Sequence, residues 1–191
     1  MKLDQALTGK LARFRQASFK GSVFRATGGS FDPTAASLNG GRWAPRPNDE
    51  PGFPVLYTSL ERDGALAEVA SYLALLNPMP SKPVILHELS VTASKTITVA
   101  MGDLEELGVD PDRYSERNYE RTQMIGATIN YLGLDGLISP SARWKCSNLT
   151  LFMDHHALEE TLEVVRSEEI DWQDWARRNG LLRPIKPGAR E

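Results

Sequence analysis

The chain has 191 residues and a formal charge of −3, a size for one domain with a substantial core and a balance that gives no support to nucleic-acid binding. Its 41% hydrophobic and 25% charged residues are ordinary for a globular protein, and neither a membrane span nor an N-terminal secretory block is present. A single cysteine, Cys146, excludes an internal disulfide framework, and three histidines without Cys/His spacing do not compose a zinc site, so the reading is a cytoplasmic, metal-free protein.

Leu3, Ala6, Leu7, Leu11 and Phe14 predict an amphipathic opening helix within residues 1–16. Val23-Phe24-Arg25 predicts a short strand. Residues 27–54, rich in Gly, Pro, Asn and Ser, then form a connection long enough to suggest function. Val55-Leu56-Tyr57 is a second strand running into a helix, with Thr58 and Glu61 spaced as a capping box. Leu66, Val69, Ala70, Leu73 and Leu76 give that helix its apolar face, and Asn77-Pro78 stops it.

Two further strands are expected at 84–91 and 96–99, and a helix over 115–132 ended by Gly133. Asp135-Gly136 reads as a turn before Leu137-Ile138-Ser139, and 149–152 as another strand. Asp154-His155-His156 reads as a strand-to-helix junction, because the other Asp/His motifs of the DHH phosphoesterases it resembles are absent. A helical tail over 156–191 contains Trp-Gln-Asp-Trp-Ala-Arg-Arg. The sum is a single α+β domain of short strands flanked by helices, with its core at about 20–155. Charge is uneven: residues 1–25 hold six Lys/Arg against Asp4 alone, and 154–174 hold eight acids against Arg166 alone. Such segments are solvated faces or a partner-binding surface.

Residues 28–43 read GGSFDPTAASLNGGRW. The opening Gly-Gly-Ser-Phe-Asp-Pro resembles nucleotidyltransferases that adenylylate mononucleotides and continue as Pro-x-His-x-Gly-His. Here Ala35 and Leu38 stand at the histidine positions and Ser37 at the glycine, so the match ends where the chemistry would begin. The closing Gly40-Gly41-Arg42-Trp43 belongs to a longer ordered set. Phe24-Arg25 precedes it; Leu56-Tyr57-Thr58-Ser59, Ala67-Glu68, Pro140-Ser141-Ala142-Arg143 and Asn148 follow. The set resembles the RES domain, named for an arginine, a glutamate and a serine. Ala44, where the family usually has asparagine, is a departure, as is the longer connection 45–54.

The resemblance implies a fold like the ADP-ribosyltransferases and NAD+ as the consumed substrate. It also implies a type II toxin–antitoxin setting, with an antitoxin partner bearing a helix-turn-helix (Xre-like) domain. Cleaving nicotinamide from NAD+ passes through a ribosyl cation resembling that of glycoside hydrolysis. The leaving group is already cationic, so the protein needs a grip on the pyrophosphate and a carboxylate beside the sugar rather than a strong acid. Arg25 and Arg42 offer guanidinium forks that match phosphate oxygens, and Gly41 lets backbone come close to a ligand. Tyr57 offers a ring against nicotinamide or ribose, and Trp43 a packing anchor.

Glu68 points away from the apolar stripe of its helix, on a face made small by Gly64 and Ala65. It is the expected catalytic carboxylate, with Arg25 and Tyr57 completing the catalytic set. Ser141 is expected to hold a nicotinamide or ribose group without acting as a nucleophile, with Ser139 a substitute and Asn148 in support. ADP-ribose then goes to a protein acceptor, with water (a glycohydrolase) or phosphate (a phosphorylase) as alternatives. A reading of another class is a non-enzymatic partner-binding module, in which Arg25, Arg42 and Glu68 form structural ion pairs.

Overall fold

A computed structural model describes residues 4–47 and 52–183; Leu3, residues 48–51 of the long connection and the Pro/Gly tail from 184 lie outside the described residues. Helix α1 (Gln5–Leu11) begins where the Asp4 side chain accepts a hydrogen bond from the Leu7 N–H at 3.1 Å, satisfying one of the free donors of a first turn. Leu7 and Leu11 are buried against the later helix α4 (Glu120–Tyr131). The expected short strand at Val23 is the twelve-residue β1 (Ala17–Gly28).

After the long loop, β2 (Val55–Ser59) leads to α2 (Arg62–Leu73). The capping box is not formed. Thr58 stays within β2 and its hydroxyl donates to the Leu149 carbonyl at 2.8 Å, while Glu61 occupies the cap without a side-chain bond. Leu66 and Ala70 are fully buried as the spacing predicts; burying a leucine side chain contributes roughly 1.5–3 kcal/mol. Leu76 falls beyond the helix end and is exposed.

The two strands expected after Pro78 are one, β3 (Val84–Thr98). Asp135 explains why the chain stays extended through Ser94 and Lys95. Its fully buried carboxylate accepts their backbone N–H groups at 2.7 and 2.8 Å, so it is a clamp on β3 as well as a turn residue. Helix α3 (Met101–Glu106) and a 3-10 turn at Pro111–Arg113 follow. Helix α4 then starts at Glu120, five residues later than expected, and β4 (Gly136–Pro140) and β5 (Ser147–Phe152) complete the interior strands.

The C-terminal region departs most from expectation. Residues Leu162–Ile170 form a strand, β6, antiparallel to β3, and among the described residues beyond it α5 (Trp172–Arg178) is the one helix. Asp154-His155-His156 therefore joins two strands and is not a strand-to-helix junction. Every residue from 163 to 169 is exposed, so β6 shows neither the alternation of a half-buried strand nor a helical stripe. Trp172 and Trp175 of α5 are buried in a cluster with Leu66 and Leu86.

The sheet order is β1-β2-β5-β4-β3-β6, with β1 also paired to β3. Thr96 of β3 is paired with Ala17 of β1 and with Gly136 of β4, on opposite edges, so five strands close a circuit. That circuit is thinnest between β1 and β2, which pair only at Phe24–Ser59. Where the two strands part, backbone pairing gives way to side chains and a cavity opens.

Candidate active site

The cavity measures about 520 Å³, within the range of roughly 300–1,000 Å³ usual for small-molecule sites. Strand β1 contributes Arg25 to its lining, β2 contributes Tyr57, the glycine-rich loop contributes Gly41 and Arg42, α2 contributes Glu68, and β5 contributes Asn148. These are residues the sequence singles out, and the seam brings them to one place. Ser141 stands just behind the lining, bonded to Glu68.

Glu68 is fixed from one side. The Ser141 hydroxyl donates to its Oε1 at 2.9 Å and the Asn148 amide nitrogen donates to the same oxygen at 3.0 Å. Among the described residues no donor engages Oε2. The Ser141 oxygen also accepts the N–H groups of Arg143 and Trp144 at 3.1 and 3.2 Å. Ser141 thus makes a hydroxyl's full complement of bonds and orients the carboxylate. The donation from Asn148 fixes its amide orientation, since the flipped form would set two oxygens against each other. Among the described residues its Oδ1 is buried without a partner, as is the Thr150 hydroxyl, and both residues line the cavity. A polar ligand is what such unpaired groups are suited to meet.

The arginines are held differently. One terminal nitrogen of Arg25 donates to the carbonyls of Pro33 and Ala35 at 2.9 and 2.8 Å, so Arg25 ties the start of the long loop to β1. Burial pulls its guanidinium below the usual arginine range, with Asp32 acting in the opposite direction. Arg42 lies over the rings of Tyr114 and Tyr119, its guanidinium carbon 4.4 and 4.8 Å from their centroids. Such cation–π contacts contribute about 0.5–2 kcal/mol depending on exposure. Among the described residues neither arginine forms a salt bridge with Glu68, so the ion pairs of a purely structural reading are not what holds the carboxylate.

Tyr57 serves the loop as well as the cavity. Its hydroxyl accepts the Trp43 N–H at 3.2 Å, and burial pushes its pKa up to about 12. The paired glycines follow from that contact. Gly40 has φ of 73°, and a Cβ on Gly41 would stand 2.6 Å from the Tyr57 hydroxyl. Gly41 therefore admits the tyrosine, and it also lines the cavity. Trp43 is buried as an anchor of the loop.

Several residues of the site are missed by the sequence. Arg46, Arg117, Tyr72 and Tyr119 also line the cavity, and Gln123 of α4 donates to the carbonyls of Gly41 and Ala44 at 2.9 and 3.3 Å. Arg117 and Tyr119 lie in the stretch read as helix, where a helical wheel would misplace them. Gln123 carries no sequence signal, because its partners are main-chain atoms about eighty residues away.

A family model described as the RES domain matches residues 11–173, a longer span than the expected core. Comparison with curated proteins finds no match. Among solved structures, the chain is similar to one in the crystal structure of the M. tuberculosis MbcT–MbcA toxin–antitoxin complex. The TM-score is 0.73 at 16% sequence identity, covering 92% of this chain and 97% of that one. At that identity the likeness is one of fold.

Proposed function

The chain belongs to the RES-domain family, and from that premise we propose that it cleaves NAD+ at the nicotinamide–ribose bond as the toxin of a type II toxin–antitoxin pair. The observation that carries the reading is a single carboxylate, Glu68, steadied through one oxygen by Ser141 and Asn148 at the edge of a cavity that four arginines also line. Arg25, Arg42, Arg46 and Arg117 supply more positive charge than one pyrophosphate carries, and guanidinium groups pair with phosphate oxygens through strong, charge-assisted bonds. The cavity volume and its unpaired polar groups suit a dinucleotide with ribose hydroxyls and an amide.

In the reaction, the glycosidic electron pair leaves with the nicotinamide nitrogen, which passes from cationic to neutral. Positive charge moves to the ribose carbon, giving a transition state like that of glycoside cleavage. Glu68 offsets that charge where it develops, and its fixed orientation spares the reaction the cost of turning a carboxylate into place. Arg25 and Arg42 hold the phosphates and thereby set the sugar's position along the seam. The ADP-ribosyl group then passes to an acceptor, a protein side chain in the leading form of the proposal. Its partner is an antitoxin with a helix-turn-helix (Xre-like) domain, and a carboxylate-bearing segment of that partner would suit the arginines.

Incubation of the purified chain with adenine-labelled NAD+ and a cell extract tests the reading. Release of nicotinamide with label on a protein band is expected. Free ADP-ribose or ADP-ribose 1″-phosphate would keep the bond cleavage and reassign the acceptor to water or phosphate. Label remaining in intact NAD+ would end the proposal.

A further inference from the structure

Tyr114 touches both halves of this site without lining the main cavity. Its ring lies 4.4 Å from the Arg42 guanidinium carbon. Its hydroxyl donates to the Pro140 carbonyl at 2.8 Å. Pro140 immediately precedes Ser141, the residue whose hydroxyl fixes Glu68. One side chain, 4% exposed, therefore contacts the cationic loop with its face and the carboxylate's support with its tip. Burial pushes its phenol up to about 12. Tyr119 provides the second ring near Arg42, at 4.8 Å.

We propose that Tyr114 is a positioning residue that sets the register between the phosphate-gripping and carboxylate sides of the cavity. Its ring, with that of Tyr119, fixes the plane of Arg42, and its hydroxyl fixes the Pro140–Ser141 backbone and through it Glu68. The inference rests on the NAD+ reading given above. The two functions of one side chain are separable, because Tyr114→Phe keeps the ring and removes the hydroxyl, whereas Tyr119→Leu removes a ring from Arg42 and leaves Pro140 untouched.

Steady-state NAD+ cleavage by the full chain tests it, with melting curves to establish that each variant folds. Tyr114→Phe is expected to lower kcat about tenfold while KM stays within about twofold, since slight misplacement of a reacting group costs rate more than binding. Tyr119→Leu is expected to raise KM about three- to tenfold with kcat nearly kept, the size of a lost cation–π contact. Tyr114→Leu, if it folds, shows both effects; if it does not, the other two variants carry the test. Wild-type kinetics in Tyr114→Phe, or the same proportional change in kcat and KM for both variants, overturns the inference while leaving NAD+ cleavage intact. A wild-type chain that leaves NAD+ untouched ends the functional reading itself, and this inference with it.

Discussion

Glu68 and Arg42 line the same cavity but are held by opposite means. The carboxylate stands on the helix α2 and is bonded by two side chains, Ser141 and Asn148, the second on a strand. The arginine stands on a loop whose position depends on main-chain contacts, from the Tyr57 hydroxyl to Trp43 and from Gln123 to Gly41 and Ala44. Among the described residues its guanidinium rests on aromatic rings rather than on an acid. Under the proposed NAD+ chemistry, the difference separates two tasks. A group that must meet charge at one atom is fixed atom by atom, whereas a group that grips a diffuse diphosphate is placed by the packing of its loop.

That contrast is open to direct attack on its carboxylate side. Glu68→Gln keeps the shape and removes the charge, so cleavage of NAD+ is expected to fall by roughly 10²–10³ with an unchanged melting temperature. Steady-state nicotinamide release and a thermal scan of the same preparation check both halves. Equal activity in the folded variant would remove Glu68 from the mechanism.

On the loop side, Gly41→Ala puts a Cβ 2.6 Å from the Tyr57 hydroxyl, and overpacking of this kind costs about 1–3 kcal/mol. The expected outcome is a lower urea midpoint and a raised KM for NAD+, because the loop must shift and takes Arg42 with it. A variant that binds NAD+ as the parent does would show that the loop's placement is not what positions the arginine.

Ser141→Ala should be milder. It removes one of the two bonds to Glu68, and a hydrogen bond to a charged group contributes about 1.5–3 kcal/mol at most. A kcat reduced by about tenfold with KM kept is expected, well short of the Glu68→Gln loss. The remaining effects are those of pH on stability. Tyr57 and Tyr114 are raised by burial to about 12 from the ordinary 10.0. Their contribution is fully present below pH 10 and is lost as pH rises through 12, since the unfolded chain releases those protons first. His87 is lowered from 6.5, by burial first and then by Arg25. Its contribution is present above that value and fades as pH falls through the depressed folded one. Melting temperature against pH should show both limbs, the alkaline one shallower in Tyr57→Phe.

How much of this the sequence discloses depends on where each residue's partners lie. The strand-to-helix run from Val55 to Leu73 is legible because its burial pattern is local, and Glu68 stands out on it against Leu66. Strand β6 is not legible, because Glu163 to Glu169 are all exposed and its extended form is imposed by pairing with β3. The capping box at Thr58 fails because the sheet takes the hydroxyl for Leu149. Arg25, Arg42, Tyr57 and Asn148 are readable as a set, yet not their bonding. That Ser141 is saturated, or that Tyr114 touches Arg42 and Pro140, follows only from distant segments meeting at the seam between β1 and β2.

The most direct test is a crystal structure of Glu68→Gln grown with NAD+. Intact dinucleotide along the seam is expected, its pyrophosphate on Arg25 and Arg42 and its nicotinamide ribose beside residue 68. A dinucleotide bound elsewhere, or one with its adenine end beside residue 68, would contradict the account.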